Sequence, residues 1–161
     1  MLTVDRLWEC LDYSPETGVF TWKLMLSWRA PIGTVAGSPR PDRRIYIGID
    51  GKRYLAHRLA WFYVHGEWPT EQIDHRDLNP ANNAIANLRL ATCSQNHGNL
   101  RRPSTNTSGF KGIYRHLRWW RAVIVVRGVR HHLGSFQTPE EAHAAYVVAA
   151  TAFHGEFARA A

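Results

Sequence analysis

An α+β fold in two small parts is what this sequence predicts. Three observations predict it. An alternating hairpin and a helix pattern fill the first part, a strand, loop, strand and capped helix follow, and three short strands precede a long capped helix at the end. At 161 residues the chain can hold one ordinary domain or two small ones, since each core needs tens of residues to bury enough surface. An apolar share of 45% and seven Trp residues give both parts something to bury.

The elements follow in order. Leu2 to Leu11 is a short apolar-periodic segment, and Glu16-Thr17-Gly18 in SPETGVFTW is a turn leading into a strand. RIYIGID alternates, with Ile45, Ile47 and Ile49 on one face; Asp50-Gly51 is a two-residue turn, and KRYLAH returns beside it. HRLAWFYVHG places Leu59, Ala60, Phe62 and Tyr63 at helical spacing and stops at Gly66. Asn79-Pro80 and Asn82-Asn83 mark a loop, LRLAT a strand, and Thr92-Cys93-Ser94-Gln95 a capping box that starts a helix. The polar run RRPSTNTSG, broken by Pro103 and Gly109, reads as a linker over 101–107, between domains at 1–100 and 108–161. Beyond it FKGIYR, WWRAVIVV and VRHHLGSF read as strands, the last two joined across Arg127-Gly128. Thr138-Pro139-Glu140-Glu141 is a second capping box. Its helix carries Ala142, Ala145, Tyr146, Ala149, Ala150 and Phe153 on one face, small enough to lie close against a sheet.

Charge narrows the partner. Lys and Arg outnumber Asp and Glu by 20 to 13, a formal +7, which favours a polyanion because each Lys or Arg on a phosphate releases condensed counterions. An anionic membrane surface ranks behind nucleic acid, since no apolar run approaches the roughly 20 residues that span a bilayer. MLTVDRLWEC also lacks the layout of a signal peptide. Cys10 and Cys93 are too few and too far apart for a zinc knuckle, so no structural zinc is expected. They read as free thiols in a reducing cytoplasm, that of a bacterial or phage-infected cell.

The densest chemistry is IDHRDLNPANNAIANLRLATCSQN, Ile73 to Asn96. This stretch resembles the HNH motif, and more closely the version in phage and intron-encoded homing endonucleases that ends in Asn. The hairpin and YLAHRLAWFYVHG before it are similar to the same pattern, so the resemblance covers nearly all of residues 1 to 100. It implies a ββα-metal unit, two strands and a helix around one divalent ion. On that resemblance His75 falls on the general base, Asn87 on the middle Asn, and Asp74 and Asn96 on the metal ligands. The chemistry suits the residue types. A His deprotonates water near neutral pH, and Mg²⁺ or Mn²⁺ takes a carboxylate, an amide oxygen, phosphate oxygens and waters. Asn87 would hold the loop backbone so that His75 points at the phosphate. His57, beside Arg58 at a helix start, reads first as structural and second as a contact to DNA or the site. The remaining histidines, among them His154, read as surface or DNA-face residues.

From Ser108 on, Lys111-Gly112-Ile113, Trp120 with Ala122 and Ile124, Leu133-Gly134-Ser135-Phe136, the Thr-Pro-Glu-Glu-Ala cap and Gly155-Glu156-Phe157-Ala158 resemble the apetala/ethylene-response-factor (ERF) DNA-binding domain. The resemblance implies a three-stranded antiparallel sheet in the major groove of double-stranded DNA, backed by the helix. Alternation gives the same faces: Trp120, Ala122 and Ile124 toward the helix, Arg121, Val123, Val125 and Arg127 away from it. Arg130 and His132 join the outer face from the third strand, and Lys111, Tyr114 and His116 from the first. Tyr114, Val123 and Val125 stand where the plant domains tend to carry charged base readers, which implies weaker or different sequence readout. The expected function is a metal-dependent DNA endonuclease without a membrane partner. A single site in a monomer would nick; two copies, or turnover on each strand, would give a double-strand break. One rival is a regulator that binds DNA on a decayed nuclease scaffold; another is an RNA-binding accessory protein, for which no RNA-module signature is present.

Overall fold

The computed structural model describes residues 1–28, 30–99 and 106–158, with every side chain there except that of His97. Most of the expected linker, 101–105, lies outside the described residues. The chain forms two compact units, Met1–Leu90 and Ala91–Ala161. That division falls before the expected linker, so the helix after Thr92 belongs with the second unit.

In the first unit Thr3 caps helix α1 (Val4–Cys10), its hydroxyl accepting from Arg6 N at 3.2 Å. Strands β1 (Leu11–Ser14) and β2 (Val19–Trp22) pair antiparallel around the Glu16-Thr17-Gly18 turn. The short β3 (Ser38–Pro39) lies on β4 (Ile45–Ile49), which pairs antiparallel with β5 (Lys52–Leu55). Asp50 and Gly51 both adopt positive φ, 48° and 76°, the two-residue turn whose twist matches that of paired strands. Helix α2 (Ala56–His65) ends on Gly66 in the left-handed region. Next come β6 (Gln72–His75), a single 3-10 turn (Ile85–Asn87) and β7 (Leu88–Ala91); β6 and β7 form a two-stranded sheet. Leu7, Leu11, Phe20, Ile47, Ile49, Leu59 and Phe62 fill the core between these elements, with Ile73 and Leu88 from β6 and β7. Roughly 25 cal/mol per Å² of apolar surface removed from water stabilises this arrangement.

In the second unit α3 (Cys93–Asn99) starts at the expected capping box: Thr92 Oγ1 accepts from Gln95 N at 3.3 Å, and Gln95 Oε1 accepts from Thr92 N at 2.9 Å. Strands β8 (Ile113–His116), β9 (Trp119–Val126) and β10 (Val129–Phe136) form an antiparallel sheet in the order β10-β9-β8, with a bulge between His132 and Gly134. Helix α4 (Pro139–His154) carries the second capping box, and a 3-10 turn (Gly155–Phe157) follows it. Ala142, Tyr146 and Ala150 of α4 pack on Ile113, Ala122 and Ile124 of the sheet. Phe153 does not join them. It is 49% exposed and stacks on His131 at 5.5 Å, because the buried stripe of α4 passes instead through His154, itself only 6% exposed.

Candidate active site

Strand β6 delivers Asp74 and His75 side by side at the end of the two-stranded sheet, and both are buried. Adjacent strand residues face opposite ways, so each meets a different environment. Asp74 Oδ2 accepts from Arg89 Nε of β7 at 2.9 Å, with neither side chain more than 8% exposed. A buried carboxylate needs such a partner. On the other side His75 Nε2 lies 3.4 Å from Asn83 Oδ1. The ring of His57, from the first turn of α2, meets the His75 ring edge to face at 5.1 Å and 87°. Burial lowers the pKa of His75, against the opposing pull of Asn83, Asp77 and Asp74. His57 is pushed down to about 3, by burial first and then by His75, Arg44 and Arg58. Both rings are therefore uncharged at neutral pH.

The loop that follows is tied together by amides and one carboxylate. Asn87 Nδ2 donates to Asp77 Oδ1 at 3.0 Å and to the Asn82 carbonyl at 2.9 Å. Asn87 Oδ1 accepts from Asp77 N at 3.1 Å, and its carbonyl accepts from Arg76 N at 3.0 Å. Asp77 also accepts from Asn79 N at 2.8 Å and Asn82 Nδ2 at 2.7 Å. Burial works to raise the Asp77 carboxyl, but these hydrogen bonds outweigh it and hold the group below its ordinary value. Tyr13 of β1 donates its hydroxyl to the Asn83 carbonyl at 2.7 Å, which fixes the loop from behind. A Cβ on Gly18 would sit 2.2 Å from Ala84 N and the Asn83 carbonyl carbon, and Gly18 has φ of +72°, so this close approach requires glycine.

Asn96 stands half-buried on α3 of the second unit, its backbone N–H donating to the Thr92 carbonyl at 2.9 Å. Among the described residues no group of three His, Cys, Asp or Glu side chains gathers as a metal cluster. The expected donors are an Asp carboxylate and an Asn amide oxygen. Two hard oxygens suit Mg²⁺ or Mn²⁺, which fill the remaining positions with water and phosphate; the donor chemistry fits, with Arg89 a competitor for Asp74.

In the sheet of the second unit the register pairs Tyr114 with Arg121, His116 with Trp119, Val123 with His132 and Val125 with Arg130, so these residues share a face. Tyr114, His116, Val125, Arg130 and His132 are exposed and Arg121 is half-buried, whereas Val123 at the centre is 8% exposed. Two expected members stand elsewhere. Arg127 is in the turn, with φ of 50° followed by Gly128 at 80°, so strand alternation ends before it; its amide donates to Ser94 Oγ of α3 at 3.0 Å. Lys111 Nζ donates to the Gly98 carbonyl at the end of α3, at 2.6 Å.

Sequence reasoning passed over Asn83, Asp77 and Arg89, and it left His57 as structural first. An Arg in a short strand between apolar neighbours was a usable signal for Arg89, since such a charge needs a buried counter-ion. Nothing local marks Asn83 among the asparagines around it. Trp119, under the Arg118 guanidinium at 5.4 Å, was also missed on the basic face.

Comparison with known proteins gives the family. A family model described as HNH endonuclease matches residues 54–97, the span from β5 through Asp74, His75, Asn87 and Asn96. The chain is similar to Protein 3.8 of Escherichia phage T7, 36% identical over 106 residues, which cover 64% of this chain and 87% of that protein. It is also similar to an uncharacterized HNH endonuclease, L560, of Acanthamoeba polyphaga mimivirus, 34% identical over 109 residues, which cover 67% of this chain and 57% of that one. No solved structure matches. With one relative covered over most of its length and the HNH endonuclease model matched across the β6-to-α3 segment, this chain belongs to the HNH endonuclease family.

Proposed function

We propose that the protein is a metal-dependent DNA endonuclease, in which residues 1–100 cut and residues 108–161, joined through 101–107, hold double-stranded DNA. The observation that carries this reading is His75: a buried imidazole kept neutral near pH 7, at a strand end beside an acidic residue, in front of a loop tied by Asn87. A neutral imidazole can take a proton from water. The hydroxide so formed attacks phosphorus, the bond from phosphorus to the leaving oxygen breaks, and that oxygen takes up a proton from solvent. A divalent ion, Mg²⁺ or Mn²⁺, with Asp74 and Asn96 as its oxygen ligands, would offset the charge on the phosphate and the leaving oxygen. Asn87 keeps the backbone of Arg76 and Asp77 in place, so the chain leaving His75 has a fixed course.

The outer face of the second unit supplies the grip. Arg121, Arg130, His116 and His132 offer donors to phosphates, and Tyr114 and Trp119 offer flat surface to sugars and bases. Its sheet backed by one helix agrees with the ERF-type resemblance and supports that reading. No helix among the described residues is long and apolar enough to cross a membrane, and we place the activity in the cytoplasm of a bacterial or phage-infected cell.

The Asp74–Arg89 pair favours a second reading, a non-catalytic DNA-binding regulator in which Arg89 has replaced the metal ion. Supercoiled plasmid with Mg²⁺ or Mn²⁺ separates the two. Cutting that stops with chelator sustains the nuclease; binding without cutting at any metal concentration sustains the regulator. His75→Ala should lower the cleavage rate by about 10²-fold or more and leave DNA affinity near wild type. Wild-type cutting by that variant would remove His75 from the mechanism.

A further inference from the structure

We propose that Asn83 and His57 are positioning residues for His75, Asn83 setting which ring nitrogen carries the proton and His57 setting the plane of the ring. This rests on the reading of His75 as the general base. A neutral imidazole has one N–H and one lone pair, and only the lone pair takes a proton from water, so a base must present the correct nitrogen. Asn83 decides which. Its Nδ2 donates to the Ala81 carbonyl at 3.2 Å, and a carbonyl can only accept, so the atom 3.4 Å from His75 Nε2 is the amide oxygen. That oxygen also only accepts. Nε2 therefore carries the hydrogen and Nδ1 the lone pair.

Asn83 is well placed for the task. It is 2% exposed, its carbonyl is held by the Tyr13 hydroxyl, and Gly18 presses on its backbone with no room for a Cβ. The side chain has no solvent into which to turn. His57 acts on the second degree of freedom, since rotation about the last torsion of His is soft and two-fold. An edge-to-face ring at 5.1 Å restrains that rotation, and the pairing depends on a flat apolar partner rather than on a charge. His57 is buried at the start of α2 and uncharged there, so it serves as an aromatic ring and places no positive charge beside the base. A phenyl ring would do the same work.

The test combines long-range proton–nitrogen spectra of the full ¹⁵N-labelled chain with steady-state cleavage of plasmid in Mg²⁺. The native chain should show His75 as the Nε2–H tautomer. Asn83→Leu, similar in size but without an acceptor, should give a mixture of tautomers and lower kcat on the order of 10- to 100-fold with KM unchanged; Asn83→Asp should restore most of both. His57→Ala should lower kcat without changing KM, and His57→Phe should recover the loss. A native His75 protonated on Nδ1, or Asn83→Leu cutting at the wild-type kcat, overturns the proposal. Should Asn83→Leu not fold, the native tautomer and the two His57 variants still decide. A native chain that cuts nothing sinks the nuclease reading, while the tautomer spectrum judges the role of Asn83 independently.

Discussion

At the scale of single residues, the site sets buried charge and buried neutrality side by side. Asp74 is buried against the Arg89 guanidinium, 2.9 Å away. Arg89→Leu would remove the buried cationic partner of that carboxylate, at a cost of about 3–5 kcal/mol. Urea denaturation should show the loss. If Asp74 binds metal, Mg²⁺ should recover part of the stability in the variant, through mass action on the folded state; a loss indifferent to Mg²⁺ would make the pair structural alone. His57 poses the opposite case. It stays neutral in the folded chain down to about pH 3, while in the unfolded chain it takes up a proton near 6.5. Between those values the unfolded state binds more protons, so stability must fall as pH falls, by about 1.4 kcal/mol for each pH unit. Above pH 6.5 the term vanishes. In His57→Phe the acid limb of the stability curve should be shallower than in wild type, and an unchanged slope would mean that His57 is solvated or charged in the folded protein.

At the scale of elements, what could be read in advance and what could not divide along a physical line. Features encoded within a few residues were legible: the Asp50-Gly51 turn, the left-handed stop at Gly66, and the capping boxes at Thr92 and Thr138. Each is set by local backbone chemistry. Features that depend on what folds back from a distance were not. His57 meets His75 across α2 and β6, and Asn83 is fixed by Tyr13 and Gly18 of the opening hairpin. Alternation misplaced Arg127 because it has no means of seeing where a strand stops and a positive-φ turn begins. It also treated Lys111 as part of an open face, since the helix end that accepts its hydrogen bond lies far back in the sequence. The hairpin β1-β2 therefore does more than close the core: it seats the loop that sets Asn83 beside His75. Gly18→Ala tests this at a residue remote from the chemistry. Its Cβ would collide with backbone at 2.2 Å and would need a positive φ, so the loop must shift. We expect a stability loss of about 1–3 kcal/mol together with slower cleavage. Slower cleavage at unchanged stability would mean that the loop moves at little cost, and unchanged cleavage would remove the hairpin from any role in the site.

At the scale of the whole molecule, the second unit holds more than the sheet proposed to bind DNA. It includes α3, whose Ser94 accepts the Arg127 amide and whose Gly98 carbonyl accepts the Lys111 ammonium. Gly98 also lies so close to the buried His154 ring that a Cβ there would sit 2.9 Å from it. Helix α3 is only seven residues long, too short to be stable in water by itself, so it depends on these neighbours. Removing residues 108–161 would thus take away two things at once. The first is affinity: with Arg121 and Arg130 gone, the slope of log K against log salt should flatten by about 0.9 for each phosphate that the protein no longer neutralises. The second is the support of α3, and with it the placement of Asn96, so the fragment should need more Mg²⁺ or Mn²⁺ to cut, beyond what weaker DNA binding explains. Two separate variants in the full chain divide these effects. Arg121→Ala with Arg130→Ala should flatten the salt slope and leave the metal requirement unchanged, whereas Lys111→Met should raise the metal requirement and change the slope by less than a single phosphate would. A Lys111→Met variant with the wild-type metal requirement and a slope flatter by the full amount for one phosphate would show that Lys111 serves DNA and that α3 holds without it.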